Sequence, residues 1–195
     1  MMQRLGSRAV RLPRPDLDAA RLVAAGRSLP GVVDVVLTDA WVALYFAEAA
    51  PETAPDLLAA AAALDVQIEA PREHELHVRY DGEDLDAVAR AVGLPIVEVI
   101  ARHRAPVYVV AFMGFLPGFP YLHGLDARLQ LPRRSTPRPS VPAGAVAIGG
   151  PYAGVYPLAS PGGWHLLGQL LMPQLLGAEG ALLRPGDRVR FVEAP

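Results

Sequence analysis

The chain has 195 residues, 52% of them apolar, and a formal net charge of -2. That length suits one large domain or two small ones around a real core, and the charge gives no overall attraction to nucleic acid or acidic membranes. Cys, Lys and Asn are absent, which excludes disulfides, thiolate nucleophiles, Cys-ligated zinc, a Walker-type lysine, Schiff-base chemistry and N-glycosylation.

Arg4, Arg8, Arg11 and Arg14 interrupt the first residues and no apolar signal core follows them. The Ala-rich run 54–64 is too short to span a bilayer and stops at Asp65. A soluble, cytoplasmic protein with no membrane partner is the expectation. Residues 7–12 supply a weak first strand. Asp16 is placed to cap a helix carrying Leu17, Ala20 and Ala24 on one face, with Gly26 near its end. The β-branched and aromatic runs 32–38 and 41–46, separated by Asp39 and Ala40, predict a hairpin. Pro55 suits the first turn of a second helix reaching about Leu64, and 66–69 is a short strand. The order β-α-β-β-α-β fits a small ferredoxin-like domain over residues 1–70.

A second domain, 71–195, opens after Ala70 and Pro71. Residues 74–80 place Leu76, Val78 and Tyr80 on one strand face. Leu85, Val88, Ala89 and Val92 then recur at helical spacing up to Gly93, and Pro95 opens another helix with Ile96, Val99 and Ile100 on one side. The turn between these helices has the look of a DNA-binding helix-turn-helix. Glu98 stands where phosphate contacts need donors, however, so a packing hairpin without nucleic acid is the better reading. Ten Gly and nine Pro between Gly114 and Gly168 leave no room for long helices. Short strand-like runs at 107–112, 145–148, 164–167 and 188–192 indicate a compact β-barrel with elaborate loops.

From Ala105 to Ala178 the only acid is Asp126, against Arg128, Arg133, Arg134 and Arg138. Such a loop system suits a phosphate or carboxylate held by guanidinium forks, and it equally suits a solvated basic loop. One carboxylate makes no acid/base pair and no two-metal site. His123 and His165 have no short zinc spacing, and Ser160 precedes Pro-Gly-Gly rather than a nucleophile elbow. No metal site is expected. A base, if needed, has to come from another domain or another chain. Gly118, Gly144, Gly162 and Gly163 most simply serve turns with positive φ.

The run Gly114-Phe115-Leu116-Pro117-Gly118-Phe119-Pro120-Tyr121-Leu122 resembles the GFxPGFPYL signature of the allophanate hydrolase subunit 1 family. That family holds the B subunit of 5-oxoprolinase (PxpB) and the sporulation kinase inhibitor KipI. Further blocks follow in order: 132–144 with Arg133, Arg138 and Ser140, then 154–157 with Tyr156, 160–164 with Ser160 and Trp164, and 185–191. The resemblance implies a ferredoxin-like domain followed by a cyclophilin-like β-barrel, an α+β fold. It implies a subunit of ATP-dependent 5-oxoprolinase, inactive alone. The active site would be shared with a KipA-type chain, alongside a LamB/YcsF-type chain, and ATP with magnesium would bind in the assembled complex. A KipI-like kinase inhibitor and a carboxyltransferase module related to urea carboxylase are the alternatives. Arg133, Arg138, Ser140, Tyr156 and Ser160 are candidates for binding substrate or nucleotide. Phe115, Phe119, Tyr121 and Trp164 are candidates for a pocket wall or partner interface, and His103 for an acid/base. Gln169-Leu170 and Ala145 depart from the family pattern, which usually carries a basic residue followed by Thr, and a Ser, at those places.

Overall fold

Two short strands open the chain, β1 (Gln3–Arg4) and β2 (Ala9–Pro13). They are followed by helix α1 (Ala19–Ser28), the hairpin β3 (Val32–Leu37) and β4 (Trp41–Phe46), and helix α2 (Leu57–Ala62). The computed structural model describes residues 1–64, 69–172 and 174–194. The strands form an antiparallel sheet in the order β1-β2-β4-β3. Alternation fixes which face is buried: Val35, Leu37, Val42, Leu44 and Phe46 pack with Val10, Leu12 and Leu22.

Both helices start later than the sequence suggested. Leu17 N–H closes a tight turn onto the Pro15 carbonyl at 2.9 Å, so the cap is Asp18, which accepts from Arg21 N–H at 2.7 Å. The buried face is therefore Ala19, Leu22, Ala25 and Gly26, rather than that of Leu17, Ala20 and Ala24. Gly26 does lie near the end of α1, and a Cβ there would stand 2.8 Å from Val35, so this glycine also lets the helix lie close on β3. Asp56, not Pro55, opens α2, accepting from Leu58 and Ala59 N–H. Of the strand expected at 66–69, residues 66–68 lie outside the described residues.

The remainder builds a closed barrel. Its strands are β5 (Glu73–Arg79), β6 (Tyr108–Met113), β7 (Pro120–His123), β9 (Ala145–Gly149), β10 (Tyr152–Val155), β12 (His165–Leu170) and β15 (Arg188–Glu193). They run in the order β10-β7-β6-β15-β5-β12-β9, and only β5 and β15 pair in parallel. Outside the barrel lie two small ribbons, β8 (Arg138–Val141) with β11 (Ser160–Gly162) and β13 (Leu176–Gly177) with β14 (Gly180–Ala181). Helices α3 (Leu85–Val92) and α4 (Ile96–Arg104) form the expected packing hairpin, with Gly93 left-handed at φ 66. No helix among the described residues is long and apolar enough to cross a membrane.

Strand β9 is buried on both faces. Val146 and Ile148 fill the barrel interior with Tyr108, Val110, Leu122, Val155 and Phe191. Ala145 and Ala147 face a separate aromatic cluster of Phe119, Tyr156 and Trp164 on the outer side. That outer cluster is where the family blocks meet.

Candidate functional site

Small residues under large rings build the site. A Cβ at Gly149 would lie 2.8 Å from the Trp164 indole, and one at Gly154 would lie 3.0 Å from Trp164 and 3.1 Å from Phe119. A Cβ at Gly162 would collide with the Tyr156 ring. Gly118 and Gly144 do hold positive φ, 79 and 81, as expected, whereas Gly162 and Gly163 are not in that conformation. Gly162 is glycine because an aromatic ring lies against its backbone.

Phe119 stands edge-to-face with Tyr121, Tyr156 and Trp164 at centroid distances of 5.3, 5.1 and 5.3 Å. Around them opens a pocket of about 230 Å³ walled also by Phe115, Pro137, Pro161, Gly162, Gly163 and Arg133. Phe119, Tyr156 and Trp164 are almost wholly buried, so their rings are wall and core rather than free interface. Burial pushes the Tyr156 phenol up. Phe115 differs: it is 59% exposed and its φ is 68, the one non-glycine with positive φ among the described residues. Such backbone strain clusters at functional loops.

The arginines divide. Arg133 is exposed, makes no ion pair among the described residues, and holds its guanidinium 5.8 Å from the Trp164 ring centre. Arg134 donates to Asp84 Oδ1 at 2.7 Å, and Arg138 donates to the same oxygen at 2.7 Å and to Glu83 at 3.1 Å. Arg138 Nη1 is buried without a partner among the described residues. Asp84 is 3% exposed, and its second oxygen accepts from Leu166 N–H at 2.8 Å. Burial alone would raise its carboxyl. The hydrogen bonds from Arg138 and Leu166, with the charges of both arginines, outweigh that and hold it below the usual carboxylate range. The basic loop thus finds its acids outside the segment 105–178, and Asp126 serves Arg102 instead, at 2.8 Å.

Three other candidates stand apart from the pocket wall. Ser140 is exposed on β8, and Ser160 donates to the Pro161 carbonyl at 3.2 Å. His103 is fully buried between Tyr80, Tyr108 and Phe191, with Nδ1 2.8 Å from the Tyr80 hydroxyl. Desolvation pushes it down to about 3. Neutral, enclosed and off the pocket wall, this imidazole is not placed to serve the pocket as the acid/base expected of it. Sequence reasoning missed Asp84. Of the departures from the family pattern, the Gln169 side chain donates to the Ala143 carbonyl, and Ala145 lies under the aromatic cluster.

The architecture is thus a closed barrel that carries an outer aromatic pocket, with Arg133 in the pocket wall. Residues 13–174 match the family described as "Carboxyltransferase domain, subdomain C and D", and the chain belongs to that family. A protein of Escherichia coli named as the B subunit of 5-oxoprolinase is 54% identical over 113 residues, covering 57% of this chain and 52% of its own. Its Bacillus subtilis namesake is 47% identical over 123 residues, 60% of this chain and 51% of its own. This chain therefore spans about half the length of the curated relatives it matches.

Among solved structures, the protein TTHA0988 is similar at 41% identity and TM-score 0.77, over 96% of this chain and 40% of that one. A conserved uncharacterized protein of Pyrococcus horikoshii is 28% identical with TM-score 0.60, over 100% of this chain and 97% of that one. The urea amidolyase of Kluyveromyces lactis, at 19% identity, TM-score 0.69 and coverage of 99% and 15%, shares the fold.

Proposed function

We propose that this chain acts as the PxpB-type component of 5-oxoprolinase, its aromatic pocket holding 5-oxoproline in an active site completed by other chains. The observation that carries the reading is Arg133, a guanidinium with no carboxylate partner among the described residues, in the wall of a pocket of about 230 Å³ built largely of rings. 5-Oxoproline is a small, nearly flat lactam with a single carboxylate, so one cation and ring faces suit it. The names of the curated relatives support the same substrate.

Among the described residues, the pocket wall carries no His, Asp or Glu. Lactam hydrolysis needs the amide activated and water deprotonated, so those groups belong to partner chains of the KipA and LamB/YcsF types. A nucleoside triphosphate needs several phosphate donors and usually a bound metal. One Arg in so small a volume does not fit it, so ATP and magnesium are assigned to the partners' side. The order β2-β4-β3 supports reading residues 1–70 as a ferredoxin-like domain beside a cyclophilin-like barrel over 71–195, with β1 on the edge where such a domain carries its last strand.

The test is co-expression with the KipA-type and LamB/YcsF-type partners, followed by 5-oxoproline-dependent ATP hydrolysis. The isolated chain should be inactive. In the complex, Arg133→Ala should lower kcat/KM roughly ten- to a hundred-fold, the worth of one charged hydrogen bond of about 1.5–3 kcal/mol. Robust turnover by the chain alone would overturn the shared-site reading.

A further inference from the structure

We propose that Asp84 is the positioning residue of the aromatic pocket: by clamping Arg134 and Arg138 to the start of α3, it leaves Arg133 as the pocket's anion-receiving group and fixes it over Trp164. The inference takes the pocket from the reading above and adds to it a residue far away in sequence.

Asp84 occupies the N-cap position of α3, where an Asp carboxylate ordinarily accepts from its own helix. Here it makes no such bond. Both oxygens are turned away from the helix, to Arg134, Arg138 and Leu166 N–H. Forgoing a cap in order to hold two guanidinium groups 50 and 54 residues along the chain means that the carboxylate organises the loop 132–138 rather than α3.

The same loop is tied to the pocket wall by Arg134 N–H donating to the Gly163 carbonyl at 2.8 Å, and by His165 Nε2 lying 2.9 Å from the Pro132 carbonyl. Between these anchors stands Arg133, its guanidinium 5.8 Å from the Trp164 ring centre. Asp84 and Glu83 absorb the charges of Arg134 and Arg138. An anion entering the pocket therefore meets one uncompensated cation, already oriented. Pre-setting that geometry lowers the ordering cost of binding.

The test reads Trp164 directly. In the full chain carrying Trp41→Phe, Trp164 is the sole tryptophan, and its fluorescence is quenched with iodide as the anionic probe and acrylamide as the neutral one. Arg133→Ala should lower the ratio of iodide to acrylamide quenching by about twofold, because it removes the local positive potential. Asp84→Asn removes a negative charge beside Arg134 and Arg138, so its own ratio should not fall. Instead, Arg133→Ala should lower the ratio much less in the Asp84→Asn background than in the wild type, since the guanidinium is no longer held over the ring.

A merely structural Asp84 would raise quenching by both probes and leave the effect of Arg133→Ala at its wild-type size, and that result overturns the proposal. If circular dichroism shows Asp84→Asn to be unfolded, Arg134→Met releases one arm of the clamp. In that background too Arg133→Ala should lower the ratio less than in the wild type, and an effect of full size there counts against the proposal. Protection from iodide by 5-oxoproline but not by 2-pyrrolidinone ties the pocket to the substrate. Its absence with the ratios as expected rejects that substrate while the clamp stands.

Discussion

His103 packs without solvent exposure between Tyr80, Tyr108 and Phe191, and desolvation holds it down at about 3. Because an unfolded chain returns this imidazole to the ordinary value near 6.5, the unfolded state binds the extra proton between those two values. Stability from this residue is complete above about pH 6.5 and is lost as pH falls toward 3, at up to about 1.4 kcal/mol per pH unit. His103→Phe keeps a ring in the slot and removes the proton. Urea midpoints measured from pH 7 to pH 4 should therefore fall more steeply for the wild type than for the variant, and parallel curves would show the site to be open to solvent. The sequence marked His103 through its place in the family pattern, but burial is a tertiary property that no single position displays. Asp84 escaped notice for a related reason. Counting charges within 105–178 finds only Asp126, while the acid that neutralises Arg134 and Arg138 arrives from 50 or more residues upstream.

At the scale of elements, local signals were legible. The hairpin of β3 and β4, the stop of α3 at Gly93 and the strands β6, β9, β12 and β15 all follow from runs of apolar residues and their punctuation. Close approaches between elements were not, since they depend on which backbone another segment crosses. Gly82 is such a place. Its N–H donates to the Leu167 carbonyl and Asp84 N–H to the Leu166 carbonyl, each at 3.1 Å, so the turn before α3 lies flat on β12. A Cβ at Gly82 would collide with the backbone of Leu166, Leu167 and Gly168, where no side chain can move aside. Gly82→Ala should therefore destabilise by at least about 2 kcal/mol. It should also redden or quench Trp164 emission as Asp84 is lifted off the clamp. Gly177→Ala, where a Cβ would meet nothing within 4 Å, should change stability by less than about 1 kcal/mol. Thermal melts of the two variants side by side test the distinction, and equal shifts would contradict it.

For the whole molecule, the question is whether the N-terminal sheet and the barrel unfold together. Strand β6 joins them through an irregularity. Tyr108 and Val110 point into the barrel, so regular alternation would send Ala111 outward and Phe112 inward again. The pairing of β6 with β7 shifts register between Val110 and Phe112, and both Ala111 and Phe112 instead pack into the core of the N-terminal sheet. Phe112 is 8% exposed, stacks on Tyr121 at 4.4 Å, and meets Tyr152 edge-on at 5.6 Å. One ring of the barrel thus completes the other unit's core while touching Tyr121, which also walls the aromatic pocket. Arg14, which donates to the Thr38 carbonyl at 2.9 Å and the Ala111 carbonyl at 3.4 Å, adds a polar tie at the same seam. Truncating a buried Phe removes its transfer energy and leaves a cavity, a loss of about 3–5 kcal/mol. Here that loss falls on the contact between units rather than on either core alone. Wild-type protein should unfold in one calorimetric transition, with calorimetric and van't Hoff enthalpies equal. Phe112→Ala should split it, the N-terminal sheet melting first and the barrel later, near its original midpoint. A single transition merely shifted to lower temperature would place Phe112 in one common core and remove the case for a seam.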